Sequence, residues 1–228
     1  MPELGQVAIV GAGRLGTALA AALAASGVEV VGPLRRGERP GPGVDVVLLC
    51  VPDRAIGEVA AAIPVGPLVG HCSGATTLEP LAGHACFSLH PLMTVPAGVV
   101  TDFRDVPCAV AGHPVAELLA RRLGMRPIQV RDADRAAYHA AASMASNFLV
   151  VLEDAAEQVA RTAGLTRADF VPLVRATVEN WSRQGPDALT GPLARGDQET
   201  ISAHRAALRD RAPALLPLYD AMVEVARR

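Results

Sequence analysis

Gly11, Gly13 and Gly16 punctuate the run Gly11-Ala12-Gly13-Arg14-Leu15-Gly16, which follows a short apolar stretch and opens one rich in Ala and Leu. A strand that ends in this spacing and leads into a helix is suited to hold a diphosphate. The first glycine permits the tight turn, the second lets the ligand approach the backbone, and the third lets helix and strand pack closely. Phosphate then rests on main-chain amides at the helix N-terminus, where unpaired N–H groups and the helix dipole favour negative charge. Ala12, Arg14 and Leu15 belong to the same cradle. A glycine-rich turn without a ligand is the alternative.

About 20 residues past such a motif, a carboxylate normally bonds the ribose 2′-hydroxyl of NAD. The corresponding stretch here is Val31-Gly32-Pro33-Leu34-Arg35-Arg36. Two guanidinium groups suit a 2′-phosphate, through charge-assisted and bidentate hydrogen bonds. The expected cofactor is therefore NADP(H), unless Arg35 and Arg36 are only a solvated surface pair. Val51 and Pro52, ending the next apolar run, are placed to pack along the ribose or nicotinamide, and Asp53 to cap the following helix. Cys72 and Ser73 end a further strand at the same edge, as ligand neighbours or as plain strand-end residues. His90-Pro91-Leu92 ends another.

In an Ala-rich segment further on, His139, Ser143, Ser146 and Asn147 follow one another at i, i+4, i+7 and i+8. On a regular helix they share about a 100° arc. Such a stripe can hydrogen-bond a carbonyl or imine and return a proton after hydride transfer, or it can bond across an interface. His139 is the first candidate proton donor and Tyr138 the second, with Asn147 and Ser143 orienting the substrate. Arg195 could clamp a substrate carboxylate, with Thr200 and His204 lining the same pocket. The alternative makes Asp197 an N-cap and Arg195 an ion-pair partner. Trp181, the one tryptophan, fits a core or an interface.

Composition narrows the classes. Aromatic residues are 3% of the 228 and hydrophobic residues 50%, so Ala, Val and Leu must build the core. A net charge of -2 gives no footprint for nucleic acid. All 21 basic residues are Arg, which excludes a P-loop, Schiff-base or proton-donating lysine. Cys50, Cys72, Cys86 and Cys108 lack metal-ligand spacing and read as buried, reduced thiols. The histidines give no metal pattern either. No basic n-region precedes the first strand, and no uncharged stretch near it would span a bilayer, so a cytoplasmic location is expected.

The elements that must position these residues alternate. Strands are expected at 6–10, 28–31, 44–51, 67–72, 86–89, 106–111 and 127–130, with helices at 14–26, 55–63 and 114–123. Apolar, β-branched runs between helices argue for a mostly parallel sheet covered on both faces. Beyond Arg131 the pattern is helical, over 132–163, 167–184, 197–211 and 213–228. The fold class is thus α/β: a Rossmann-type domain over 1–130, followed by an all-helical domain over 131–228.

The stretches 11–16, 44–53, 71–74, 88–92, 138–149 and 191–204 resemble the Rossmann-like bacterial oxidoreductases whose C-terminal half is a domain of unknown function. These are relatives of pyrroline-5-carboxylate reductase, ketopantoate reductase and 6-phosphogluconate dehydrogenase. Gly-Pro-Leu-Ala-Arg-Gly-Asp at 191–197, followed by Thr200 and His204, is the most specific match. The resemblance implies an NADP-linked reductase that forms a homodimer through its helical half, with ketopantoate as a first substrate to try. The chain departs from lysine-dependent relatives in having no lysine. The expected function is NADPH-dependent reduction of a small keto acid. An imine reductase of the pyrroline-5-carboxylate type, or a non-catalytic NADP(H)-binding protein, are the alternatives.

Overall fold

The computed structural model describes residues 4–227. Strand β1 (Val7–Val10) leads through helix α1 (Arg14–Ala25) to β2 (Val30–Leu34) and β3 (Val46–Leu49). A short turn precedes α2 (Ile56–Ala61), then come β4 (Leu68–His71), β5 (Cys86–Pro91), β6 (Pro107–Gly112), α3 (Val115–Arg122) and β7 (Arg126–Gln129). The strands form one sheet in the order β2-β1-β3-β4-β5-β6-β7. Every pairing is parallel except β5 with β6.

All residues of β1 and β3 are buried, as continuous apolar runs between two helical layers should be. On one face Leu19 and Leu23 of α1 and Leu119 of α3 pack with Ile9, Leu48 and Phe87. On the other, Ile56 and Ala60 of α2 pack with Ala8, Val47 and Val69. After β1 the chain moves to one side for β2, then crosses to the other for β3. That reversal opens a crevice beyond the carboxyl ends of β1 and β3, where open α/β sheets bind ligands.

Two differences from the expected elements matter for the site. β2 begins and ends later than the 28–31 expected, running to Leu34, which brings Arg35 to the strand's end. The helix expected over 132–163 is not uniform. A short turn at Asp132–Asp134 gives way to α4 (Arg135–Ser143), a π-helical turn at Met144–Phe148 and α5 (Leu149–Arg161). A π turn holds more residues than an α turn, so the regular 100° advance assumed for Ser146 and Asn147 is lost there. The chain divides into two compact units between Ser146 and Asn147, beyond the change of sequence character at 131. The physical reason lies in α4: Arg135 is buried and bonded to Ser73 and Ser88 of the sheet unit.

The second unit contains α5, α6 (Arg167–Gln184), α7 (Gly191–Ala194), α8 (Gln198–Arg211) and α9 (Leu216–Ala226). Thr166 and Asp169 form a reciprocal capping box at the start of α6. Glu157 of α5 bridges Arg161 and Arg167 at 2.5 and 2.6 Å. Arg205 meets Asp220 at 2.6 Å, and His204 meets Tyr219 at 2.9 Å, joining α8 to α9. Among the described residues, no helix is long and apolar enough to cross a membrane.

Candidate functional site

The Gly-rich turn has the geometry its spacing demands. Gly11 takes φ +115°, and a side chain there would collide with the Cys50 carbonyl. A side chain at Gly16 would strike the carbonyl of Gly11, so that glycine sets how closely α1 approaches the strand. At Gly13 a Cβ would meet nothing within 4 Å. The open space therefore lies against the glycine that a diphosphate has to approach. Gly13 is the N-cap of α1, without a side-chain cap bond and with no acidic residue in the first turn. The first amides of the helix are left without intrahelical partners, a cradle that fits a phosphate. The Leu15 side chain packs against the core, so only its backbone can serve a ligand.

Beside this turn, a cavity of about 590 Å³ is lined by Gly11, Arg35, Arg36, Arg39, Val51 and Pro52, among others. Sequence reasoning placed five of these at a ligand and missed Arg39, which follows the second strand by a loop. Glu38 also lines the cavity, and its carboxylate accepts the Arg35 backbone N–H at 2.6 Å. Ala12, Gly13 and Arg14 border a separate groove along α1.

The ends of β4 and β5 carry a denser polar cluster. His71 is buried; its Nε2 lies 3.0 Å from the Thr77 carbonyl, and its Nδ1 accepts the Ser73 N–H at 3.2 Å. A carbonyl only accepts and an amide only donates, so the ring is fixed as the Nε2–H tautomer. Burial is the main cause holding its pKa below the usual histidine value. Ser73 donates to Asp53 at 2.7 Å and its oxygen accepts the Thr76 N–H at 2.9 Å. Asp53 thus ties two strand ends together and does not cap the helix after it, which has no side-chain cap bond.

Helix α4 brings the remaining groups. Arg135, 1% exposed, donates to Asp132 at 3.0 Å, to the Ser73 carbonyl at 3.3 Å and to the Ser88 hydroxyl. So anchored, α4 sets the Tyr138 hydroxyl 2.7 Å from Nδ1 of His90, with the rings perpendicular. His139, next along the same helix, has its ring centre 6.4 Å from that of His90. A Cβ at Gly74 would come within 2.9 Å of both imidazoles. Burial, then His139 and Arg135, push His90 down to about 4, with Asp53 opposing. Burial and Cys108 push the Tyr138 phenol up to about 12. At neutral pH both groups are uncharged.

Other expected residues lie elsewhere. Cys72 is buried in the core with its sulfur 3.6 Å from that of Cys50, so its thiol is turned away from open space. Cys50 and Cys86 are only half-buried, and all four cysteines are free thiols. Ser143 is half-buried at the end of α4, whereas Asn147 is exposed and falls in the second unit. Arg195 is exposed in that unit, and Asp197 caps α8 by accepting the Thr200 N–H at 3.0 Å. The Thr200 hydroxyl bonds the same carboxylate, and His204 bonds Tyr219. Trp181 is 62% exposed, which excludes the core role. Sequence reasoning placed His90 at the ligand edge without a chemical role and passed over Arg135. The signal for Arg135 was a lone cation opening an Ala-rich helix.

No curated protein matches the sequence. Solved structures share the fold. A Bacteroides fragilis protein provisionally described as an NADP oxidoreductase is 22% identical, with 98% of each chain covered and a TM-score of 0.82. A reductive aminase from Aspergillus terreus, in complex with NADPH and ethyl levulinate, is 16% identical over 98% of this chain and 94% of its own, with a TM-score of 0.70. An imine reductase from Streptomyces aurantiacus is 17% identical over 97% and 95%, with a TM-score of 0.64. The fold is therefore Rossmann-like with a helical C-terminal region. From residue 107 to 225, more than half its length, the sequence matches the family described as "Domain of unknown function (DUF2520)", and the chain belongs to that family.

Proposed function

We propose that this protein is an NADPH-dependent reductase of a small substrate carrying a C=N bond, with reduction of a keto acid by the same groups as the second reading. One observation carries it: an uncapped phosphate-binding turn and an uncharged Tyr138–His90 pair stand at the same carboxyl edge of one sheet. The cofactor's diphosphate would rest on the main chain at Gly13, Arg14 and Leu15. Arg35, Arg36 and Arg39 would hold the 2′-phosphate, and Val51 and Pro52 would flank the ribose. When bound, the cofactor supplies a hydride, which the protein itself cannot.

What the chain contributes is orientation and a proton. Tyr138 is the donor favoured here, since its hydroxyl is fixed by His90, while His139 flanks the same space. A ketone reduced without a strong acid leaves an alkoxide. An imine nitrogen is a far stronger base than a carbonyl oxygen, so a weak acid such as a neutral phenol suffices to protonate it as hydride arrives. With no lysine in the chain and with the two closest-held polar groups neutral, C=N is the better match. The resemblance to a reductive aminase and an imine reductase supports the same choice.

The helical unit exposes Phe148, Val150, Val151, Leu173, Val178 and Trp181. Large apolar side chains in such number accord with a second copy covering them, and the expected assembly is a homodimer. Sedimentation of the purified protein as a monomer at micromolar concentration would remove that part of the reading. Four free thiols accord with a reducing, cytoplasmic environment.

The decisive assay follows NADPH absorbance with a panel of cyclic imines, amine–ketone mixtures and keto acids, each repeated with NADH. Turnover of the imines with NADPH is expected. Binding of NADPH without oxidation by any of the panel would point instead to a non-catalytic nucleotide-binding protein.

A further inference from the structure

The sheet edge holds two histidines with opposite freedoms. His71 is locked as one tautomer between a carbonyl and an amide. His90 is not: its Nδ1 faces a phenol hydroxyl, which both donates and accepts, and no other hydrogen bond of the ring is present among the described residues. The ring remains partly exposed, and its Nε2 is not among the sealed, unpartnered atoms. One imidazole thus connects the hydroxyl of Tyr138 with solvent through its two nitrogens.

We infer that His90 is a positioning residue that reloads Tyr138 with a proton by exchanging tautomers, resting uncharged before and after each exchange. This deepens the reductase reading and rests on it. In the ready state Nδ1–H of His90 donates to the Tyr138 oxygen, leaving the phenol hydrogen directed to the substrate. As the substrate carbon is reduced, the phenol O–H breaks and an N–H bond forms on the product. The Nδ1–H bond then breaks as the phenol O–H re-forms, and Nε2 takes a proton from water. With the phenol hydroxyl turned aside as product leaves, Nδ1 takes a proton from solvent and Nε2 gives one up, which resets the ring. One proton from water is consumed per turnover, and no charge is left in the site.

A neutral ring is what the surroundings enforce. The charged or titratable groups facing His90 are Tyr138, His139 and Arg135 of α4, His71 of β4, Asp53 after β3, and Cys108 of β6. Asp53 is the only carboxylate among them, and its carboxylate already accepts from Ser73. Arg135 keeps a cation close by, so an imidazolium at His90 is disfavoured from two sides.

Two measurements test this. With ¹⁵N-labelled histidine, His71 is expected to show one protonated and one bare ring nitrogen at pH 7, while His90 shows two averaged nitrogens. A single locked tautomer or a cationic ring at His90 would overturn the inference whether or not the enzyme turns over, so an inactive wild type indicts only the reductase reading. Second, His90→Asn keeps a polar group near the Nδ1 position but offers no second nitrogen. With an imine substrate its kcat is expected to fall by about a hundredfold, with KM and NADPH affinity unchanged and with saturable recovery in added imidazole. Wild-type kcat in this variant, or a low kcat that imidazole leaves unmoved, counts against the relay. His90→Gln, which spares the fold by a different shape, should repeat the result.

Discussion

The hydroxyl of Tyr138 lies 2.7 Å from Nδ1 of His90, joining the first helix beyond the sheet to the end of β5. Both groups are uncharged at neutral pH, and Tyr138 is the proton donor of the proposed reaction. Tyr138→Phe should lower kcat by about a hundredfold or more, the usual range for losing a general acid. NADPH affinity, measured by fluorescence titration, should stay within about twofold because the ring does not touch the phosphate turn.

Arg35 and Arg36 line the cavity beside Gly11. Charge-assisted bonds to a phosphate are worth about 1.5–3 kcal/mol each. Replacing both by Ala should therefore weaken NADPH by at least about tenfold, at about 1.4 kcal/mol per tenfold. NADH, which lacks the 2′-phosphate, should bind as before. Calorimetric titration with both nucleotides checks this; equal losses would remove the phosphate clamp.

The backbone at Gly74 passes close to the two imidazoles. Gly74→Ala sets a methyl 2.9 Å from His90 and from His139, nearer than van der Waals contact allows. The rings must shift, so activity should drop more than stability does. Comparing kcat with the thermal midpoint separates the two; full activity would show that the rings are not held by this approach.

Arg135 is buried with bonds to Asp132, Ser73 and Ser88. Arg135→Met leaves the Ser73 carbonyl and the Ser88 hydroxyl short of a donor, at a cost of about 2–3 kcal/mol. Urea unfolding should report that loss. Arg135→Lys should recover only part, since one ammonium cannot reach three acceptors set for a planar fork.

His90 is pushed down to about 4 in the folded chain against an ordinary value of 6.5. Between those values the unfolded chain binds a proton that the native one refuses, so acid favours unfolding. The His90 contribution should be complete above about pH 6.5, decline as pH falls through that window and be gone below about 4, about 3 kcal/mol in all. His71, shifted the same way, adds to the slope. Urea midpoints between pH 7.5 and 4 test it, and His90→Asn should flatten much of the decline.

Much of this was readable from local pattern. The apolar runs of β1 and β3 are buried on both faces, so composition alone marks them, and the Gly-rich turn is a contiguous motif. The Tyr138–His90 pair was not readable, because its members are 48 residues apart and meet only once Arg135 docks α4. The polar stripe misled for a local reason. An Ala-rich segment carries no mark of a π turn, and that turn at Met144–Phe148 removes Ser146 and Asn147 from the regular phase. The position of Arg35 depended on β2 continuing through Gly32 and Pro33, residues that normally announce a strand's end.

The boundary between the two compact units falls after Tyr138, His139 and Arg135, not before them. The pair to which we assign the proton is therefore carried by the sheet unit itself. On that assignment, selection could redraw the second unit while the acid stays unchanged, so relatives that differ there should keep this short helix intact.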